Sequence, residues 1–150
     1  MGLLDNLDFK GSMATQIIRD QHIKTVKITE EFLNGNVIKE DFIDHIKFLF
    51  ETHFKIEEEI LYPPFKPILE KYLPYAEPLK MVLAEHKAVK NLLNKYETLK
   101  DYHNYLEDIA ELLLQHVYKE ENGILKQIDL LMSENMKIEI NEKIKNFMEK

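Results

Sequence analysis

Four histidines, His22, His53, His86 and His116, recur at separations of 31, 33 and 30 residues. Two of them are followed four residues later by a glutamate, Glu57 after His53 and Glu120 after His116. Imidazole nitrogen and carboxylate oxygen are the donors that proteins use for iron, manganese and zinc. On an α-helix, residues i and i+4 differ by ~40° in direction and ~6 Å in height, so each His–Glu pair can address one site from one helix. Cysteine is absent, which excludes disulfides, thiolate-ligated zinc, iron–sulfur clusters and a thiol nucleophile.

These donors need elements that bring them together. Apolar residues spaced at threes and fours predict four helices. The first spans about Ala14 to Leu33, with Ser12 or Thr15 as its cap and Asn34-Gly35-Asn36 as its stop, Gly35 being suited to a left-handed C-terminal position. The second spans about Ile38 to Leu61 and ends at Pro63-Pro64. The third spans about Pro78 to Tyr96; the fourth begins near Asp101 to Asn104 and reaches about Glu121, with Asn122-Gly123 as a kink or an end. A Pro-punctuated connector, FKPILEKYLPYAE, separates the second and third, and Ile140, Ile144 and Phe147 mark a short fifth helix. Short connections make neighbouring helices antiparallel. The expectation is all-α: an antiparallel up-down-up-down four-helix bundle with a short C-terminal helix, in a single domain covering residues 1–150.

In an antiparallel hairpin, two residues lie at one depth when their sequence midpoint falls at the turn. The midpoint of 22 and 53 lies between 37 and 38, beside Asn34–Asn36. That of 53 and 86 lies between 69 and 70, inside the connector, and that of 86 and 116 is 101, at the third break. All four histidines thus share one layer, and each continues an apolar stripe that faces inward. A lone inward histidine is more often a satisfied core residue than a ligand. Four in one layer with two paired glutamates need strong partners. The donor count suggests two ions: two bridging carboxylates and four imidazoles supply four protein bonds to each, and an oxo or hydroxo bridge raises each to five. Nitrogen and carboxylate donors without sulfur suit iron, with manganese and zinc ranked behind it.

The Glu-x-x-His arrangement of other di-iron bundles is disfavoured, because the residues three before the histidines are Arg19, Phe42, Phe50, Leu83, Lys100 and Leu113. His45, eight residues before His53, is read as peripheral, and His103 as a surface residue. Glu58 and Glu59 are read as a solvated acidic face, Glu85 as an outer or surface residue, and Tyr62 and Tyr118 as packing residues, either of which can reach the site as a hydrogen-bond donor or weak ligand.

The net charge of −7, from 27 acidic and 20 basic side chains, argues against a nucleic-acid partner. No apolar run is long enough to span a membrane. The N-terminal MGLLDNLDFKGS has no basic region and does not read as a secretory signal, and Asn6 stands where the myristoylation pattern needs Ser or Thr, so a cytoplasmic location is expected.

His22, the run HFKIEEEILYP (His53 to Pro63), Glu85-His86 and HVYKEE (His116 to Glu121) together resemble the haemerythrin-like (HHE cation-binding) domain family over residues 15–130. The resemblance implies a non-haem di-iron centre in the bundle core that binds dioxygen or reacts with oxygen or nitrogen-oxide species. Carried onto this chain, it makes the metal ligands His22, His53, Glu57, His86, His116 and Glu120. Oxygen-carrying haemerythrins have a fifth histidine one turn before the third-helix ligand, where this chain has Val82, and they place the last carboxylate five residues after its histidine, where this chain has Glu121. Helix geometry favours Glu120, since +5 lies ~140° around the axis; Glu121 stays open. A binding role for dioxygen or another small diatomic or peroxide ligand is expected ahead of an enzymatic one. The alternatives are a di-iron enzyme or iron-handling protein acting on peroxide, dioxygen or nitric oxide in stress defence or iron-centre repair, and an interaction domain with a structural metal.

Overall fold

A computed structural model describes residues 13–71, 76–99 and 104–149. The described residues are all-α, with no strand among them. Helix α1 is Met13–Leu33. It ends as the sequence predicts: Gly35 has φ 78°, its N–H donates to the Phe32 carbonyl, and that of Asn36 donates to the Glu31 carbonyl, which closes the last turn. Ser12 lies outside the described residues. Thr15 lies inside α1 rather than at its cap position and is fully buried, with its hydroxyl on Asp129 at 2.9 Å.

The second predicted helix is not one uniform α-helix. It begins as α2, Lys39–Phe48, and then widens into two π-helical stretches, Leu49–His53 and Ile56–Leu61. Its spacing of apolar residues is compatible with either kind of turn, which is why the sequence reads as α throughout. A 3₁₀ turn, Pro63–Phe65, and a short helix α3, Lys66–Lys71, occupy the described part of the connector. Helix α4 is Ala76–Thr98, with Pro78 in its first turn. Helix α5 is Tyr105–Asn122; its predicted approach from Asp101, and His103 with it, lie outside the described residues. Gly123 ends α5, and Ile124 opens a separate α6, Ile124–Leu131, at the Asn122-Gly123 pair that the sequence marks as a kink or an end. The C-terminal helix α7, Glu134–Met148, is longer than expected and starts on Ser133, whose side chain accepts from the Met136 N–H.

Helix α5 packs on both α1 and α4, and α1 also packs on α2 and α7. Two apolar clusters result. One joins Ile18, Ile56, Leu61, Phe65, Val82 and Leu125 with Ile140 of α7. The other joins Phe42, Ile46, Leu49, Val89, Ile109 and Leu113. The buried histidines and glutamates come between these sets along each helix: Ile18 then His22, Leu49 then His53, Val82 then His86 then Val89, Leu113 then His116. Among the described residues no helix is long and apolar enough to cross a membrane.

Candidate metal centre

The six residues singled out by spacing converge. Donor atoms of His22, His53, Glu57 and Glu120 lie within 4.8 Å of one another, and so do those of Glu57, His86, His116 and Glu120. The two groups share both carboxylates. Each group takes its two histidines from adjacent stations of the fold: α1 and the second helix for one, α4 and α5 for the other. All six residues are buried, the two glutamates completely.

Outer partners aim the rings. His22 Nδ1–H donates to Glu121 at 2.5 Å, His53 Nδ1–H to the Gln21 side-chain oxygen at 2.7 Å, and His116 Nδ1–H to Glu85 at 3.0 Å. Each of these rings then presents Nε2 to the interior. Nε2 of His53 lies 3.4 Å, and Nε2 of His86 3.2 Å, from Glu57 Oε1; His116 Nε2 meets Glu120 Oε1 in close contact. Nε2 of His86 and His116 are only 3.1 Å apart. His86 differs from the other three: its Nδ1 has no hydrogen-bond partner, with Glu58 3.7 Å away, and its ring stacks on Phe54 at 3.8 Å.

Glu120 enters both donor groups. Glu121, ~140° further round the helix, turns to α1, where it pairs with the wholly buried Arg19 as well as with His22. Arg19 also pairs with Asp129 at 2.6 Å, and Lys119 holds the other oxygen of Glu85 at 3.0 Å. Arg19, Gln21 and Asp129 were not visible as partners in the sequence; a run of polar side chains on the buried face of α1 is the one signal for Arg19 and Gln21, and Asp129 of α6 has none. Tyr62 is more than a packing residue. Its hydroxyl stands 2.8 Å from Glu57 Oε2 and in contact with Glu120 Oε2. Tyr118, by contrast, is exposed, and His45 lies apart, hydrogen-bonded to Thr25 at 2.8 Å.

The protonation pattern follows from burial and charge. Burial disfavours the imidazolium of His116, but the charges and hydrogen bonds of Glu120 and Glu85 outweigh it and carry the pKa to about 9. His22 is raised against burial by Glu120 and Glu121. Burial dominates at His86, lowered to about 3, and at His53, also lowered. Burial, then the charge of Glu120, holds Glu57 protonated well above the usual carboxylate range, while His116 leads the groups that keep Glu120 ionised despite its burial.

A cation fits this arrangement. Nε2 of His22 and one oxygen of Glu57 are buried without a hydrogen-bond partner, and both residues belong to the candidate donor groups. Buried polar atoms left without a partner are costly and call for one. The donor chemistry, imidazole and carboxylate without sulfur, is that of iron, manganese or zinc.

Comparison with known families agrees. The chain belongs to the hemerythrin HHE cation-binding domain family, whose model matches residues 13–128. Neither a curated protein nor a solved structure matches the chain.

Proposed function

We propose that this chain is a haemerythrin-like non-haem di-iron protein, a single domain built as an antiparallel up-down-up-down four-helix bundle, that binds dioxygen or a related small ligand in its core. His22 and His53 would hold one ion and His86 and His116 the other, with Glu57 and Glu120 common to both. The observation that carries this reading is the sharing of both carboxylates by two otherwise separate donor groups; a single-ion site has no use for that doubling. Bound iron supplies reversible one-electron chemistry and an open position for a small exogenous ligand. The chain's own contribution is to fix the imidazoles through Glu121, Gln21 and Glu85, and to exclude water with the apolar clusters on either side. A cytoplasmic location and the absence of nucleic-acid and membrane partners complete the proposal.

A second reading draws on a cavity of about 590 Å³ lined by Phe50, Phe54, Glu58, Leu83, His86 and exposed lysines including Lys87. It leads from solvent to His86 and favours exchange chemistry: turnover of peroxide, dioxygen or nitric oxide, or delivery of iron to damaged centres. Oxygen added to the reduced, iron-loaded protein separates the two. A stable and reversible visible spectrum supports binding; rapid oxidation with turnover supports exchange chemistry. Tight zinc with no redox response would defeat both.

The ligand set has its own test. His53→Ala and Glu57→Ala should each lower iron content well below two per chain, measured by elemental analysis after loading. His45→Ala should leave it unchanged. Full iron in both ligand variants would refute the assignment.

A further inference from the structure

We propose that Tyr62 is a seventh protein donor to this centre, its phenol oxygen bonding to iron in the ferric state. The inference rests on the di-iron reading above and adds a ligand to it. Tyr62 follows the second π stretch, and its N–H donates to the Glu57 carbonyl at 2.9 Å, five residues back. In an α-helix the fifth residue lies ~140° away. The wider π turn brings it back over the first, so the phenol of Tyr62 and the carboxylate of Glu57 leave the helix on one side. Wide turns of this kind are concentrated at functional sites.

The phenol oxygen is where a donor is needed. It lies 2.8 Å from Glu57 Oε2 and touches Glu120 Oε2, so one oxygen faces both of the carboxylates shared by the two donor groups. A phenol has one proton and can donate to only one of them at a time. Val82, one turn before His86, supplies no donor, and Tyr62 packs in the same apolar cluster as Val82. Two trivalent ions against two carboxylates also leave a buried excess of positive charge, which an anionic oxygen reduces. Forming the bond is a substitution: the phenol O–H breaks, an oxygen–iron bond forms, the proton passes to solvent, and no electron moves.

The test uses the full chain loaded with ferrous iron under argon and then oxidised with ferricyanide. The wild-type protein should show a visible phenolate-to-iron charge-transfer band, and resonance Raman excited in that band should give phenolate ring modes that shift when the tyrosines are ring-deuterated. Tyr62→Phe should lose the band while keeping its iron, and Tyr118→Phe should retain both. Full iron content without phenolate modes in the wild type would overturn the inference and leave the di-iron reading standing. Failure to hold iron at all would overturn both. The wild-type Raman spectrum decides the matter even where Tyr62→Phe does not fold.

Discussion

Arg19 is the residue on which the outer side of the centre depends. Its guanidinium is fully buried between Glu121 and Asp129, and Glu121 in turn holds the ring of His22. Arg19→Leu would leave Glu121 as a buried charge without its cation, a loss of about 3–5 kcal/mol. Denaturant unfolding of the metal-free variant checks this directly. A variant as stable as the wild type would mean that the network relaxes around the loss. The convergence of the six candidate donors was legible in the sequence because each lies on an apolar stripe at a matched distance from a break. Their outer partners were not. Gln21 is next to His22 in the chain but serves His53 across a helix boundary, and Glu121 reaches a ring 99 positions away. Spacing encodes which way a side chain leaves its own helix; it does not encode what a neighbouring helix brings to meet it.

Among the elements, the ends were more legible than the interiors. Gly35 and the proline pair declare their stops through backbone conformation, which local sequence controls. The π stretches of the second helix are set by tertiary packing and leave little local trace, whereas Asn122-Gly123 marks the break between α5 and α6. Gly123 shows what that break requires. A Cβ there would stand 2.7 Å from the Lys119 carbonyl oxygen, a backbone atom one residue before Glu120. Gly123→Ala should therefore displace the last turn of α5, cost about 1–3 kcal/mol, and lower both melting temperature and iron content. Gly35→Ala is the matched control. Its φ of 78° also penalises a side chain, but the space around it is open, so stability should fall with iron content intact. Calorimetry and iron analysis on the two variants distinguish them, and iron loss in Gly35→Ala would show that strain anywhere in the fold reaches the centre.

At the scale of the whole molecule, the buried groups make metal-free stability depend on pH with a defined shape. His86 and His45 are lowered to about 3 and about 4, in both cases chiefly by burial. Between those values and the ordinary histidine range the unfolded chain binds protons that the folded chain refuses, so stability rises with pH. His116, raised to about 9, acts in the opposite sense: the stability it contributes is fully present below the ordinary histidine pKa and is lost as pH rises through about 9. Thermal melts of the chelated protein should therefore peak near neutrality and decline on both sides. In the loaded protein, cations stand in for the protons on these ligands, and the alkaline decline should disappear. An alkaline decline of equal size with and without iron would show that the His116 pair does not govern it.

The unequal outer support of the four rings gives the centre a direction. Three imidazoles are each pinned by a hydrogen bond from behind, whereas His86 is steadied mainly by an aromatic face and borders the lysine-lined cavity. Its half is the loose end, where an ion would arrive last and depart first. The His22–His53 pair, both rings pinned, would keep its occupant longest, so a partly filled molecule would be lopsided rather than evenly depleted.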